Sequence, residues 1–163
     1  LAYFLKNNKL QEKNNYLFIA FSAEEKGLLG SQYFVAEPSL PLSQINFVIN
    51  MDMVGRMEEG MPLTIEGIGS SKSWKPTLQE SACKAFPFTL KNREDGPSDH
   101  AAFYHAGIPA LHMWTGNHND YHKPSDDTEK INFEAESQII SFIESFILIM
   151  DQKGKIDFHL RAK

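Results

Sequence analysis

The sequence predicts an α/β fold in which a mixed, mostly parallel sheet lies between two helical layers, as in a three-layer αβα sandwich. Short apolar segments alternate with helical segments, and this order favours parallel strands joined by helices. The 163 residues are close to the usual size of one domain, and a hydrophobic content of 42% is enough for a packed core. No repeat, low-complexity segment or convincing linker divides the chain, so residues 1–163 are expected to form a single domain.

The first half of the chain is predicted to contain a helix end, three strands and one helix. Leu1 and Leu5, followed by Lys6, are typical of the last turns of an amphipathic helix. Residues 16–23 are apolar, aromatic-rich and few, which predicts a buried strand. A turn then leads into a helix over residues 31–35, and two further strands are predicted over residues 45–54 and 63–66.

The second half is predicted to contain three helices and two strands. The helices cover residues 73–86, 98–105 and 134–150, and the strands cover residues 88–91 and 108–114. The last helix gives the clearest pattern, because its apolar residues recur at spacings of three and four. These residues are Ile139, Ile140, Ile143, Phe146, Ile147 and Met150.

Composition excludes several classes of protein. The net charge of −5 argues against a nucleic-acid-binding surface, which would be basic. Cys83 is the only cysteine, so an internal disulfide framework is excluded. No apolar run is long enough to span a bilayer.

Two adjacent glutamates, Glu24 and Glu25, follow the first predicted strand. Active sites of α/β sheets lie at the carboxyl ends of strands, so this position is suited to function. Two neighbouring carboxylates repel each other unless a cation or a proton compensates their charge. A metal ion would do so, with one carboxylate as ligand and the other as base. The alternative is a solvated acidic turn.

Three further residues are candidates for a functional site: Asp52, Asp99 and His100. Asp52 is a carboxylate inside an apolar segment, where a buried charge needs a partner or a metal. The alternative for Asp52 is a structural role in bonding the backbone at a strand end. Ser98 or Asp99 could instead cap the helix that follows, by accepting hydrogen bonds from its free N–H groups.

A third cluster of polar residues lies in residues 115–128. His118 and His122 have the spacing of a helical zinc site, but the glycine, asparagines and proline around them predict a loop. The H-E-x-x-H motif of helical metalloprotease sites is also absent. We therefore expect at most one of the two histidines to bind a metal directly, with the other orienting it or the substrate. The alternative is an ordinary surface loop.

Five segments, taken in order, closely resemble the M28 zinc peptidases, which are co-catalytic two-zinc aminopeptidases. The segments are residues 21–31 (FSAEEKGLLGS), 50–55 (NMDMVG), 98–103 (SDHAAF), 107–110 (GIPA) and 120–126 (DYHKPSD). The resemblance covers roughly residues 16–150. It implies a zinc exopeptidase-like fold and hydrolysis of the N-terminal bond of peptides that have a free amino terminus. Bacterial members of this kind are commonly exported, which favours a periplasmic or secreted location.

The resemblance also implies a role for individual residues. Glu24 corresponds to the general base that takes a proton from the metal-bound water. Glu25 and His122 correspond to ligands of one zinc, and Asp52 to a ligand of the second. The remaining matched residues are expected around the ligands or in the substrate wall: Asp99, His100, His118 and Tyr121.

One departure from the family pattern concerns the residues before Glu24. M28 peptidases carry a His-x-Asp motif and a bridging aspartate there, whereas residues 1–23 contain neither histidine nor aspartate. We therefore expect a C-terminal portion of an M28 catalytic domain, with the N-terminal part missing. Two zincs are expected in a complete domain and at most one, weakly held, in this chain, which we expect to be impaired or inactive as a peptidase. The alternatives are a non-catalytic relative and a glutaminyl cyclase, which has a similar fold.

Overall fold

A mixed sheet of four strands lies at the centre of the fold. The computed structural model describes residues 1–8, 10, 12–81 and 87–160. The strands are β1 (Val48–Met51), β2 (Leu63–Glu66), β3 (Phe88–Lys91) and β4 (Ala110–Trp114). Their order across the sheet is β1-β4-β2-β3. β1 pairs with β4 and β2 with β3 in parallel, while β2 and β4 are antiparallel, so the predicted mixed sheet is confirmed.

Helices cover both faces of this sheet. They are α1 (Ala2–Asn7), α2 (Leu29–Ala36), α3 (Trp74–Glu80), α4 (His100–His105) and α5 (Phe133–Asp151). Leu111 and Met113 of β4 pack in a core with α3 and α5, whereas Ala110 packs in a second core with α2 and α4. The side chains of β4 therefore alternate between two helical layers, as the period of a strand requires. This arrangement confirms the three-layer αβα sandwich.

The longest helix, α5, follows the predicted periodicity. Its buried side chains include Ile139, Phe142, Phe146 and Met150, which form one apolar face. The side chain of Asn132 caps the helix by accepting a hydrogen bond from the backbone N–H of Ala135 at 3.1 Å. No helix in the described ranges, α5 included, is long and apolar enough to cross a membrane.

Several predicted elements have the predicted bounds or nearly so. β2 and β3 match residue for residue, and α4 lies within the predicted 98–105. β1 is shorter than the predicted 45–54 at both ends: Ile45 still caps a short 3₁₀ helix, and Met53 turns into the left-handed region with a φ of 57°. The helix predicted over 73–86 is confirmed up to Glu80, and its residues 82–86 lie outside the described part of the chain.

The strand predicted over residues 16–23 is wrong. The segment contains no strand, and Leu17, Phe18 and Ile19 are 58%, 49% and 41% exposed. A groove of about 740 Å³, whose walls include Phe18 and Val48, lies between this segment and β1. A strand requires hydrogen bonds from a neighbouring strand, and none of the described strands pairs with this segment.

The residues just before this segment are tethered to the end of α5 through Asp151. This buried carboxylate accepts hydrogen bonds from the backbone N–H of Lys13 at 2.8 Å and from that of Asn14 at 2.9 Å. The side-chain amide of Asn14 donates a further bond at 2.6 Å. Burial raises the pKa of Asp151, but these hydrogen bonds outweigh it and hold the pKa below the ordinary value of 3.8.

We expect Asp151→Asn to destabilise the chain near pH 7 and to matter less in acid. A carboxyl with a lowered folded-state pKa stabilises the fold above its unfolded-state pKa, and this contribution is lost as the pH falls below about 4. Urea unfolding of both proteins at pH 7 and pH 3 measures the difference. Asp127→Asn, at an exposed position, is the control. A stability difference that does not change with pH contradicts the prediction.

Candidate functional site

The candidate site lies where the parallel strands β1 and β4 end. Asp52 directly follows β1, and a long loop over residues 115–127 follows β4. The backbone N–H of Asp52 donates to the carbonyl of Met113 at 3.1 Å, and the Thr115 hydroxyl donates to the carbonyl of Met53 at 2.6 Å. The two loops therefore leave the sheet at the same edge, the usual location of binding sites in α/β folds.

The two adjacent glutamates reach this edge from a tight turn before α2. They begin a short 3₁₀ helix, Glu24–Lys26. The turn requires glycine at position 30, because a Cβ there would lie 2.5 Å from the carbonyl oxygen of Ser22. Glu25 Oε1 lies 2.6 Å from His122 Nε2, so two residues that are far apart in sequence are in direct contact.

Glu24 lies in a strongly acidic environment. Burial raises its pKa, and the charges of Glu25, Asp52 and Asp99 raise it further, while His122 lowers it. These interactions place the other four side chains within electrostatic reach of Glu24. A carboxyl whose pKa is raised in this way holds a proton more readily than an ordinary glutamate does, which is what a general base requires.

Asp52 is oriented by a pair of polar side chains. The hydroxyl of Ser98 donates to Asp52 Oδ2 at 2.7 Å, and the amide of Asn50 donates to the same hydroxyl at 2.7 Å. Neither Ser98 nor Asp99 caps α4 with its side chain, so the capping alternative is wrong. One carboxylate oxygen of Asp99 is buried and, within the described part of the chain, has no hydrogen-bond partner.

In the loop after β4, the rings of Tyr121, His122 and His118 have different neighbours. The ring of Tyr121 stacks on His122 with centroids 3.8 Å apart, beside the contact to Glu25. The ring of His118 meets the edge of Tyr121 with centroids 6.4 Å apart, and its Nε2 lies 3.7 Å from a carboxylate oxygen of Asp126. The segment is a loop, as the sequence predicts, and it brings His122 rather than His118 to the glutamates.

His100 lies deeper, in a buried polar layer. Its ring is fully buried and stacks on His112 with centroids 4.8 Å apart. Burial, together with the charge of His112, lowers the pKa of His100 to about 3. His112 Nδ1 is 3.6 Å from a carboxylate oxygen of Glu66, which is itself buried. The sequence analysis missed Glu66 and His112, although a polar residue inside an apolar strand is a usable signal.

Backbone strain is concentrated at the site. Of the four non-glycine residues with positive φ in the described ranges, three belong to it. Ala23 directly precedes the glutamate pair, Met53 directly follows the strand-end aspartate, and the third is His122. Such conformations are costly, persist only when the surroundings impose them, and are frequent at functional sites.

The donor atoms fit zinc in kind. Carboxylate oxygen and neutral imidazole nitrogen are usual zinc ligands, and the Glu25–His122 contact supplies one of each. Asp52 supplies a further carboxylate, already oriented by Ser98. Among the described residues, no group of three or more potential ligands has the arrangement that holds a metal ion. The described residues therefore bring one carboxylate and one imidazole into contact, with the Asp52 carboxylate in the loop after β1, but form no cluster of three donors.

The fold and the site together define a three-layer α/β protein with an acidic, histidine-containing site at the carboxyl ends of its parallel strands. The chain belongs to peptidase family M28, because the model of that family matches residues 1–147. This match confirms the resemblance drawn from the five motif segments.

Individual relatives agree with this assignment. Aminopeptidase YwaD of Bacillus subtilis strain 168 is 34% identical over 149 residues, which cover 85% of this chain and 32% of that protein. The structure of BSAP, a zinc aminopeptidase from Bacillus subtilis, matches with a TM-score of 0.71 at 27% identity, over 95% of this chain and 39% of that one. A glutaminyl cyclase from Porphyromonas gingivalis has a TM-score of 0.61 over 82% of this chain and 50% of that one, but its 19% identity shows the fold alone. The chain thus spans about a third of the length of the two aminopeptidases.

Proposed function

We propose that this chain carries part of the active site of a zinc aminopeptidase, which hydrolyses the first peptide bond of substrates with a free amino terminus. The observation that supports the proposal most directly is the contact between Glu25 and His122, with Glu24 adjacent. The naming of YwaD as an aminopeptidase and of BSAP as a zinc aminopeptidase supports the same activity.

Each residue of the site has a part in this proposal. Glu25 and His122 would hold one zinc, and Asp52 would help to hold a second in a complete domain. Bound zinc supplies Lewis acidity and lowers the pKa of its water to about 7. Glu24 accepts the proton of the attacking water and later returns it to the leaving amine. The surrounding carboxylates can also bind the ammonium form of the substrate's amino terminus.

The substrate wall is proposed from residues beside the ligands. Tyr121 stacks on His122 and is 40% exposed, so its ring can contact a bound peptide. Asp99 has a buried, unpartnered oxygen within the described structure and faces the same acidic cluster. His118 and His100 are proposed to support this wall from behind, since the side chains of both are buried.

For the 163-residue chain by itself, we propose at most one zinc, weakly held. The Glu25–His122 pair is a two-ligand site, and catalytic zinc usually has three protein ligands. Metal analysis after dialysis, combined with an aminopeptidase assay on the same sample, tests this. Two tightly held zincs per chain with substantial turnover would overturn the proposed stoichiometry.

The type of reaction is tested with two substrates. An amino-acid amide reports aminopeptidase activity, and a peptide with N-terminal glutamine reports cyclisation. In a protein that carries the complete catalytic domain, we expect hydrolysis of the amide that is abolished by a chelator and restored by zinc. Cyclisation of the glutaminyl peptide without amide hydrolysis would support a glutaminyl cyclase, and zinc binding without either reaction would support a non-catalytic relative.

A further inference from the structure

Arg56 joins the two loops of the candidate site. It follows Asp52 by four residues, in the loop after β1. Its Nη2 donates to Asp120 Oδ2 at 2.9 Å, and its Nη1 donates to Asp126. Both aspartates belong to the loop that carries His122. One guanidinium therefore binds two carboxylates from the opposite loop, a geometry that suits its planar arrangement of donors.

The carboxylate of Asp120 is held from three sides. Lys130 Nζ donates to its Oδ1 at 2.6 Å, and the Ser125 hydroxyl donates to the same oxygen at 2.7 Å. These bonds, together with the bond from Arg56, give the Asp120 carboxylate three hydrogen-bond donors. Asp120 is thus a charged, fixed partner for the arginine.

The backbone around Arg56 is fixed as well. The N–H of Asn132 donates to the carbonyl of Gly55 at 2.9 Å, and the side-chain amide of Asn132 donates to the carbonyl of Met57 at 2.9 Å. Both neighbours of the arginine are therefore bound to the start of α5. The Arg56 side chain is 18% exposed, which distinguishes it from a freely solvated surface ion pair.

The contacts of Arg56 bracket the strained residue of the loop. His122 has a φ of 55° and lies two residues after Asp120 and four before Asp126. The described structure thus fixes the loop on both sides of this left-handed residue. Without the arginine, residues 120–126 would lose these two bonds to the loop after β1, while the bond between Thr115 and Met53 at the start of the loop would remain.

We propose that Arg56 is a positioning residue that fixes the loop carrying His122, and through it the metal affinity of the Glu25–His122 pair. This inference rests on the proposed function for the identity of the metal. Groups that orient metal ligands without binding the metal typically change affinity by about 10- to 100-fold when they are removed. We therefore expect a loss of this size in zinc affinity when the arginine is replaced.

The experiment compares Arg56→Gln and Arg56→Lys with the unmodified chain. Zinc affinity is measured by competition with a chelator, and hydrogen exchange is measured for the amides of residues 118–122. Lys153→Gln is the matched control, because Lys153 forms an ion pair with Glu80 at 4.0 Å, outside the site. We expect Arg56→Gln to lose about 10- to 100-fold in affinity and to exchange faster. Arg56→Lys should fall in between, since an ammonium group lacks the planar fork, and Lys153→Gln should resemble the unmodified chain.

Failure of this inference can be separated from failure of the proposed function. If the unmodified chain binds zinc and Arg56→Gln binds it equally well, Arg56 does not position the ligands. If the unmodified chain binds no zinc, the assignment of Glu25 and His122 as a zinc-binding pair fails, and the exchange of residues 118–122 decides on Arg56: unchanged exchange overturns its positioning role. Should Arg56→Gln not fold, Asp126→Asn removes one of the two carboxylates at a more exposed position, and the same measurements apply with a smaller expected loss.

Discussion

In the full-length protein, replacing Glu24 by glutamine is expected to reduce kcat by at least about 100-fold while zinc binding is retained, because general-base catalysis typically contributes a factor of this size or more. Glutamine has nearly the same shape but cannot accept the proton of the attacking water. Zinc binding should survive, since the proposed ligands Glu25 and His122 are unchanged and remain in contact. Hydrolysis of an amino-acid amide and the zinc content of the same preparation are the two measurements.

The control for this result is Glu37→Gln. Glu37 is an exposed glutamate at the end of α2, so the same chemical change is made away from the site. It should leave both kcat and zinc content unchanged. Near-normal turnover of Glu24→Gln at full zinc occupancy would remove Glu24 from the role of base.

The second large effect is expected for His122→Ala, which should weaken zinc binding by more than about 100-fold. Groups that only orient ligands already contribute about 10- to 100-fold, so loss of a direct ligand should exceed that range. The fold should tolerate the change, because the side chain is 52% exposed. Zinc competition titration and urea unfolding measure the two effects separately.

His105→Ala is the matched control for this substitution, since His105 is an exposed histidine at the end of α4. Glu25→Gln should resemble His122→Ala in its loss of zinc, because the two side chains form one pair. Tight zinc binding by both site variants would show that the metal is held elsewhere.

Local patterns were enough to predict most of the fold. β2, β3 and α5 were predicted within a residue or two, because alternation and helical periodicity are properties of neighbouring residues. Residues 16–23 have an equally strong apolar pattern, yet they contain no strand. A strand depends on a partner that supplies hydrogen bonds, and composition carries no information about where that partner lies.

For the candidate site, some contacts were predicted from the sequence and others were not. The pairing of Glu25 with His122 followed from the order of family motifs, since residues so far apart show no local signal of contact. Ser98 was considered as a helix cap, but its hydroxyl binds Asp52, and the choice depends on where the chain folds back. Arg56 gave no signal at all, because its role arises only when the two loops meet.

We expect that relieving the left-handed backbone strain at Ala23, Met53 and His122 would increase thermostability but reduce activity. Each such residue costs on the order of 1–3 kcal/mol, so a substitution that relaxes the backbone would raise the melting temperature. Glycine at position 53 is an example, because it adopts positive φ without steric strain. The same change would let the Asp52 loop sample more conformations. Directed evolution that selects only for heat resistance would therefore tend to accumulate changes at these positions and to lose turnover as it does so.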